Sequence, residues 1–267
     1  MRLALSLLFI TVISLPGGYC KDGSLLPFID PQIIVASLKH TQSLLRTGKC
    51  RIKYRSYHKL ANYKMEFEAI FAFDSHRVCY HFISDVTVSD LKGKEKFSLR
   101  EKGCRDLYET RTQTKLMIGT KRKGIIPVLV ERGSSPFDYS WDPRNYGIRI
   151  RGFPPIPLGE FLEKKGVKIV RVEKVRREGK EILCYLAETE EEEEILGKVR
   201  LWLDPKKGFL PLKMQTGDHW FMDISYKPYE SDDRIIWFLE KGIRRCKVDR
   251  YVTVSYTHLT LPTKRIV

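Results

Sequence analysis

Residues 63–73 read YKMEFEAIFAF. Tyr63, Met65, Phe67, Ala69, Phe71 and Phe73 alternate there with Lys64, Glu66, Glu68, Ile70 and Ala72. Successive side chains of a strand point to opposite faces, so a period of two marks a strand with one buried side. The period is already two from Cys50 onward, and Asp74-Ser75 reads as a tight turn into a strand at His76–Ser84. Further strands fit 95–101, 104–111 and 113–119, and then 167–177, 181–189, 197–203, 209–216, 219–226, 234–240 and 243–253. Short runs with turn residues at intervals of roughly 8–12 positions predict an antiparallel sheet rather than alternating βαβ units. A doubly wound nucleotide fold is a poor fit to that order.

One helix precedes the strands. Asp30 can accept from the free N–H groups of a first turn, and Pro31 suits the first helical position. Ile34, Leu38, Thr41 and Leu45 recur at helical spacing and Gly48 is placed as the stop, which predicts an amphipathic helix over 31–47. Residues 121–166, punctuated by Pro136, Pro143, Pro154, Pro155 and Pro157, read as irregular. Within them Leu158–Lys165 fits a short helix ending at Gly166. A stretch that long in a compact domain is functional or covers another element. Glu190–Glu194 reads as a solvated hairpin tip.

The chain has 267 residues, with 48 Lys+Arg, 33 Asp+Glu and a formal charge of +15. Charged residues are 30% and apolar ones 42%, which excludes a disordered chain, a collagen-like repeat and a polytopic membrane protein. Arg2, the apolar run Leu3–Leu15 and the small residues after it form the three regions of a secretory signal over 1–20. That run is short of the ~20 residues of a membrane span. A periplasmic or otherwise extracytoplasmic location is therefore expected. Cys20 stands where a lipid anchor attaches, but the bulky Tyr19 before it disfavours lipidation.

Residues 254–267, VSYTHLTLPTKRIV, resemble the translated tail of a reading frame that has run into transposon-adapter DNA. They are expected to be non-native and to pack poorly beside 243–253, leaving that strand an unprotected edge. With the two end segments set aside, 21–253 is expected to be a single domain, and it stays basic.

Constellations for catalysis are weak. The chain has no CxxC, HExxH, GxSxG or phosphate-cradling glycine loop, so no enzyme class and no cofactor is indicated. Cys79 and His81 share a strand face, but a metal site normally needs three or four ligands, so packing is the simpler reading. Cys50, Cys184 and Cys246 sit in strand patterns where a small hydrophobe would serve, which favours packing over a disulfide framework. An export signal argues against nucleic acid as the partner of the basic surface. Anionic lipid head groups or wall polymers fit better, with Lys121-Arg122-Lys123 and Arg51/Lys53/Arg55 the densest patches.

Val199–Gln215 reads VRLWLDPKKGFLPLKMQ: a strand, a turn on Asp204-Pro205 with Gly208, and a return strand. With export, an early helix and a many-stranded body, it resembles the outer-membrane lipoprotein-sorting (Lol-type) carrier superfamily. The likeness is to larger bacterial members with a W-x-D-P-x-x-G-[FY]-x-P hairpin, here Trp202, Asp204, Pro205, Gly208, Phe209 and Pro211. Ile236-Trp237-Phe238 and Gly242-Ile243 look like the next hairpin of that pattern. The resemblance implies a mainly β (α+β) fold: an unclosed, curved antiparallel half-barrel with covering helices. It implies a non-enzymatic carrier whose cavity takes lipid or lipoprotein acyl chains. It also implies further strands after 253, so that domain 21–253 is C-terminally truncated.

The strand 219–226, apolar on both faces, calls for a cover, and the 31–47 helix is placed over the strand of Phe67 and Phe71. Leu38 and Leu45 on the helix and Phe67 and Phe71 on the strand are then the candidate cavity residues. The alternative is an exported sensor or regulator domain that binds a protein partner through the same half-barrel. Fused to a reporter, residues 1–24 should direct it across the inner membrane and be cleaved near residue 20. An uncleaved, cytoplasmic product on N-terminal sequencing would end the extracytoplasmic reading.

Overall fold

The side chain of Asp30 accepts a hydrogen bond from the Gln32 amide at 2.9 Å, and Pro31 occupies the first turn. These two residues start helix α1 (Pro31–Leu44) in a computed structural model of the chain. The structure describes residues 28–45, 47–60, 62–74, 78–84, 87–98, 104–109, 113–120, 124–131, 142–150, 156–192, 197–231, 234–247 and 251–260. The proposed signal, Cys20 and the basic triplet 121–123 lie outside them.

After α1 come β1 (Gly48–His58), β2 (Tyr63–Phe73), β3 (Val78–Phe82), β4 (Thr87–Ser89) and β5 (Glu95–Ser98). Next are β6 (Cys104–Glu109), β7 (Gln113–Thr120), β8 (Gly124–Glu131), β9 (Arg149–Ile150) and β10 (Ile156–Pro157). The second helix α2 (Leu158–Lys165) leads into β11 (Val167–Arg177), β12 (Lys180–Thr189), β13 (Val199–Asp204) and β14 (Leu210–Thr216). The last strands are β15 (Trp220–Ser231), β16 (Arg234–Cys246) and β17 (Tyr251–Thr260).

All but β9 and β10 join one antiparallel sheet in the order β11-β12-β13-β14-β15-β16-β17-β1-β2-β3-β6-β7-β8, with β4 and β5 branching from β2. Strands β11 and β8 end the two sides without pairing to each other, so the sheet is open. It is also curved. Phe73 on β2 and Phe238 on β16 are three strands apart, which in a flat sheet is roughly 14 Å at the usual strand spacing. Their ring centroids stack at 6.2 Å. Elsewhere the register shifts at Trp202/Leu203 and at Ser225/Tyr226, irregularities of the kind that bend strands.

The alternating pattern of 48–56 and 67–73 sorts as expected. Gly48, Cys50, Ile52, Tyr54 and Ser56 are buried on β1 while the residues between them are exposed. Phe67, Ala69, Phe71 and Phe73 line the same buried face on β2. Aromatic rings run across it, with Tyr54 stacked on Phe67 at 5.0 Å and Phe71 tilted on Tyr80 at 4.9 Å.

Several expectations are corrected. Helix α1 stops at Leu44, and Gly48 does not end it but begins β1. A Cβ at Gly48 would lie 2.6 Å from the Phe73 ring, so glycine there makes room for a packed aromatic. The stretch 121–166 is not wholly irregular, since it holds β8, β9 and β10. Among the described residues, no helix covers the face of β15 opposite the core. Phe221 there is half-buried, with Lys247 Nζ 4.6 Å from its ring centroid.

Residues 234–246 form one long strand, and the strand that follows, β17, takes in 254–260. It pairs with β16 from Lys241↔Tyr256 to Cys246↔Tyr251 and with β1 from Lys49↔Thr260 to His58↔Tyr251. The expected unprotected edge is therefore an interior position, because β17 joins the two halves of the sheet. A net contribution of about 1 kcal/mol per backbone hydrogen bond makes that strand expensive to lose. Deleting 254–267 should therefore lower the stability measured by urea unfolding by more than about 4 kcal/mol, well outside the range of uninvolved surface changes. An unchanged midpoint would show that the tail does not hold the sheet together.

Candidate functional site

Residues 142–150 lie across the buried face of the sheet. Asp142 begins this segment by accepting from the Arg144 amide at 2.9 Å, and Pro143 sets a single 3-10 turn over Pro143–Asn145. The Arg144 guanidinium folds back onto the same carboxylate, with Nη2 donating to Oδ2 at 2.7 Å and Nε to Oδ1 at 3.0 Å. Its Nη1 donates to the Asp74 carbonyl at 3.4 Å, at the end of β2. Its flat face lies 4.4 Å from the Phe73 ring centroid and 5.7 Å from that of Phe71. Asp142 and Arg144 are both buried. Burial by itself would raise the Asp142 carboxyl, but the Arg144 charge and hydrogen bonds, with Arg149 at 3.8 Å, hold it below its ordinary value.

Beyond the turn, Tyr146 lies against β16 because residue 242 is glycine; a Cβ there would sit 2.1 Å from the tyrosine ring. Arg244, two residues on, has its guanidinium carbon 5.2 Å from the centroid of that ring. Gly147 adopts φ +86, and a Cβ on it would meet the Tyr226 hydroxyl. That hydroxyl donates to the Pro211 carbonyl at 3.1 Å and lies 3.4 Å from the Tyr146 carbonyl. The short β9–β10 pair then turns the chain into α2.

The two helices cover this layer. Gly159 of α2 lets α1 come close, since a Cβ there would lie 2.9 Å from the Lys39 amide nitrogen. Lys39 and Glu163 form an ion pair across the same contact, partly exposed and so of small value. Gln42 Nε2 donates to the Ile148 carbonyl at 2.7 Å, tying α1 to the crossing segment. Gly208, at φ +64, sits under the helix, where a Cβ would meet Thr41 Oγ1 at 3.0 Å.

All four candidate cavity residues are buried in one continuous core: Leu38, Leu45, Phe67 and Phe71. Their arrangement differs from the expected one. Helix α1 packs chiefly on α2 and approaches the sheet at β11 and β16, whereas Phe71 has the Arg144 guanidinium over its ring. Sequence reasoning missed Asp142, Arg144, Tyr146 and Arg244. The Asp-Pro-Arg triplet at 142–144 was a usable signal, because it repeats the Asp-Pro turn chemistry of 204–205.

The hairpin residues build a turn that props α1. Asp204, buried, accepts from the Lys206 amide at 3.0 Å, and Pro205 opens the 3-10 turn. Gly208 and Phe209 follow with positive φ, and the Phe209 amide donates to the Asp204 carbonyl at 3.0 Å. The Trp202 indole donates to Glu173, and Pro211 supplies the carbonyl that receives Tyr226.

On the outer face of β1, Arg51 pairs with Glu68 at 2.7 Å and Arg55 with Glu66 at 2.9 Å, so this patch is partly neutralised. His81 is exposed and Cys79 half-buried. No group of three or more metal-binding side chains occurs among the described residues. Cys50 and Cys184 are buried free thiols. Burial pushes the Cys184 thiol up to about 12 and raises that of Cys50 as well, which keeps both neutral. No helix among the described residues is long and apolar enough to cross a membrane.

No family model and no curated protein matches the chain. Among solved structures it is similar to a LolA superfamily protein from Nitrosomonas europaea, 9% identical, with a TM-score of 0.45 over 88% of this chain and 94% of that one. A DUF1329 family protein from Desulfovibrio piger is 11% identical, with a TM-score of 0.47 over 87% and 94%. An outer membrane lipoprotein-sorting protein domain from Vibrio parahaemolyticus is 11% identical, with a TM-score of 0.48 over 86% and 92%. At such identities and scores the likeness is one of general chain layout and extends to no residue or site.

Replacing Asp142 by Asn should destabilise the protein by about 3–5 kcal/mol, because it leaves the Arg144 cation buried without its counter-charge. The carboxyl is held below its ordinary value, so the stabilisation is full above the unfolded Asp value of about 3.9. It is lost as pH falls through the folded value. Urea unfolding between pH 2 and 7 should show this acid-side loss in the parent and a smaller one in Asp142→Asn. Equal slopes would mean that the pair contributes nothing.

Proposed function

We propose that this protein is an extracytoplasmic, non-enzymatic carrier for an apolar ligand, such as lipid or lipoprotein acyl chains. The observation that carries the reading is the way one face of an open sheet is covered. Among the described residues no large sheet opposes it; two short helices, residues 142–150 and the small β9–β10 pair cover it instead. The helices hold closely to each other at Gly159 and Lys39, and α1 is tied to the crossing segment by the Gln42–Ile148 hydrogen bond. A cover fixed through few polar contacts can lift while the sheet stays folded, as a carrier requires.

Ligand entry would then mean α1 and α2 moving away from the buried wall, with the Leu38 side chain giving way to an acyl chain of like polarity. Exchange of one apolar neighbour for another costs little, which is how a fully buried side chain such as Leu38 can line a binding site. Residues 1–20, read as a signal, deliver the carrier to the cell envelope.

Protein purified without detergent should release lipid on solvent extraction, detected by mass spectrometry. Leu38→Ala should cost at the low end of about 2–5 kcal/mol while measurably changing the affinity of a neutral fluorescent apolar probe. Full core-like destabilisation, together with no probe binding by the parent, would reject the carrier and leave a partner-binding half-barrel.

A further inference from the structure

Arg244 lies on the buried face of β16, between Gly242 and Cys246, and is only 4% exposed. It differs from the other charged side chains of the interior. Arg144 has Asp142, and Asp204 has Lys207 at 3.7 Å. Arg244 pairs with no carboxylate among the described residues, and its Nη2 has no hydrogen-bond partner. Its one side-chain contact of polar character is the face of Tyr146, with the guanidinium carbon 5.2 Å from the ring centroid. A ring face attracts a cation but gives Nη2 no lone pair along its N–H direction.

Leaving a buried cation without an anion is costly, and structural arginines in cores are normally paired. On the β15 side the face is apolar: Met222 is the register partner of Arg244, Ile224 is that of Gly242, and both belong to the core or pack against it, while on the other side its register partner is Thr253 of β17. We infer that Arg244 is the polar end of the ligand site and receives the anionic group, carboxylate or phosphate, of an amphiphile whose chain runs along this apolar wall. The guanidinium would donate to two anionic oxygens at once, which a carboxylate and a phosphate both offer. Helix α1 approaches β16, the strand of Arg244, so its withdrawal would open the wall beside the guanidinium while Tyr146 stays in place.

This inference rests on the carrier reading, and the test separates the two. Palmitate, hexadecyl phosphate and hexadecanol are compared as competitors of the neutral probe N-phenyl-1-naphthylamine, on the full chain. At least one anion should bind roughly tenfold or more tightly than the alcohol of the same chain length. Arg244→Met should abolish that preference, and Arg244→Lys should keep part of it. The better of the two anions identifies the head group. The ligand-free Arg244→Met protein should melt at the same temperature as the parent or higher, because an unpaired charge has been removed.

A parent that binds all three competitors alike, or a preference that survives in Arg244→Met, would overturn the role of Arg244 and leave the carrier intact. So would a lower melting temperature in Arg244→Met with the preference unchanged, which marks a structural arginine. A parent that binds neither probe nor competitor would overturn the carrier reading itself.

Discussion

Everything inside this protein is arranged around a sheet that curls without closing. Such a sheet has a wide apolar face and, among the described residues, no large opposing sheet to bury it, so the face is filled from the chain's own connections. Among the polar contacts that hold the filling, one is a buried ion pair. Arg144 grips Asp142 with two nitrogens, reaches the Asp74 carbonyl with a third, and lays its flat side on Phe73. A lysine could meet the carboxylate but could not also stack on the ring. This single guanidinium fixes the crossing segment over β2, and the crossing segment in turn positions Tyr146, Tyr226 and the bond to α1.

The cover is built in layers of decreasing polarity of attachment. The crossing segment is anchored by a buried charge pair, whose removal exposes an uncompensated ion. The helices above it are held by apolar burial, one buried-side hydrogen bond from Gln42 and an ion pair open to solvent. The two layers thus differ in the kind of contact that holds them, a buried charge pair beneath and apolar burial above. The carrier proposed above would use that difference to lift the helices over a wall that stays in place. The layering also leaves Arg244 at the boundary between the two.

Strand β17 imposes a second constraint. It is the sole bridge, among the described strands, between the half of the sheet running to β11 and the half running to β8. Over 252–257 its sequence alternates Val252, Val254 and Tyr256 with Thr253, Ser255 and Thr257, residues of high strand propensity apart from the serine, which suits a paired strand whatever its origin. A strand in that position closes two sets of backbone donors and acceptors at once. This is why residues read from the sequence as an appendage lie in the middle of the sheet.

Local physics made several features legible in the sequence. The period of two over 63–73 set the buried face of β2, Asp30-Pro31 set the start of α1, and Gly166 the end of α2, because each depends on neighbours a few residues away. The hairpin at Asp204-Pro205 was readable for the same reason. What only the tertiary structure decided is which distant surfaces meet. Gly48 looks like a helix stop until Phe73 is seen filling the space of its missing Cβ, and Gly242 has no evident purpose until Tyr146 lies on it. Arg244 reads as one more basic residue in a basic chain. That it is buried, beside a ring and with no carboxylate partner among the described residues, follows from the curl of the sheet and the path of a segment about a hundred residues earlier, which no local pattern encodes.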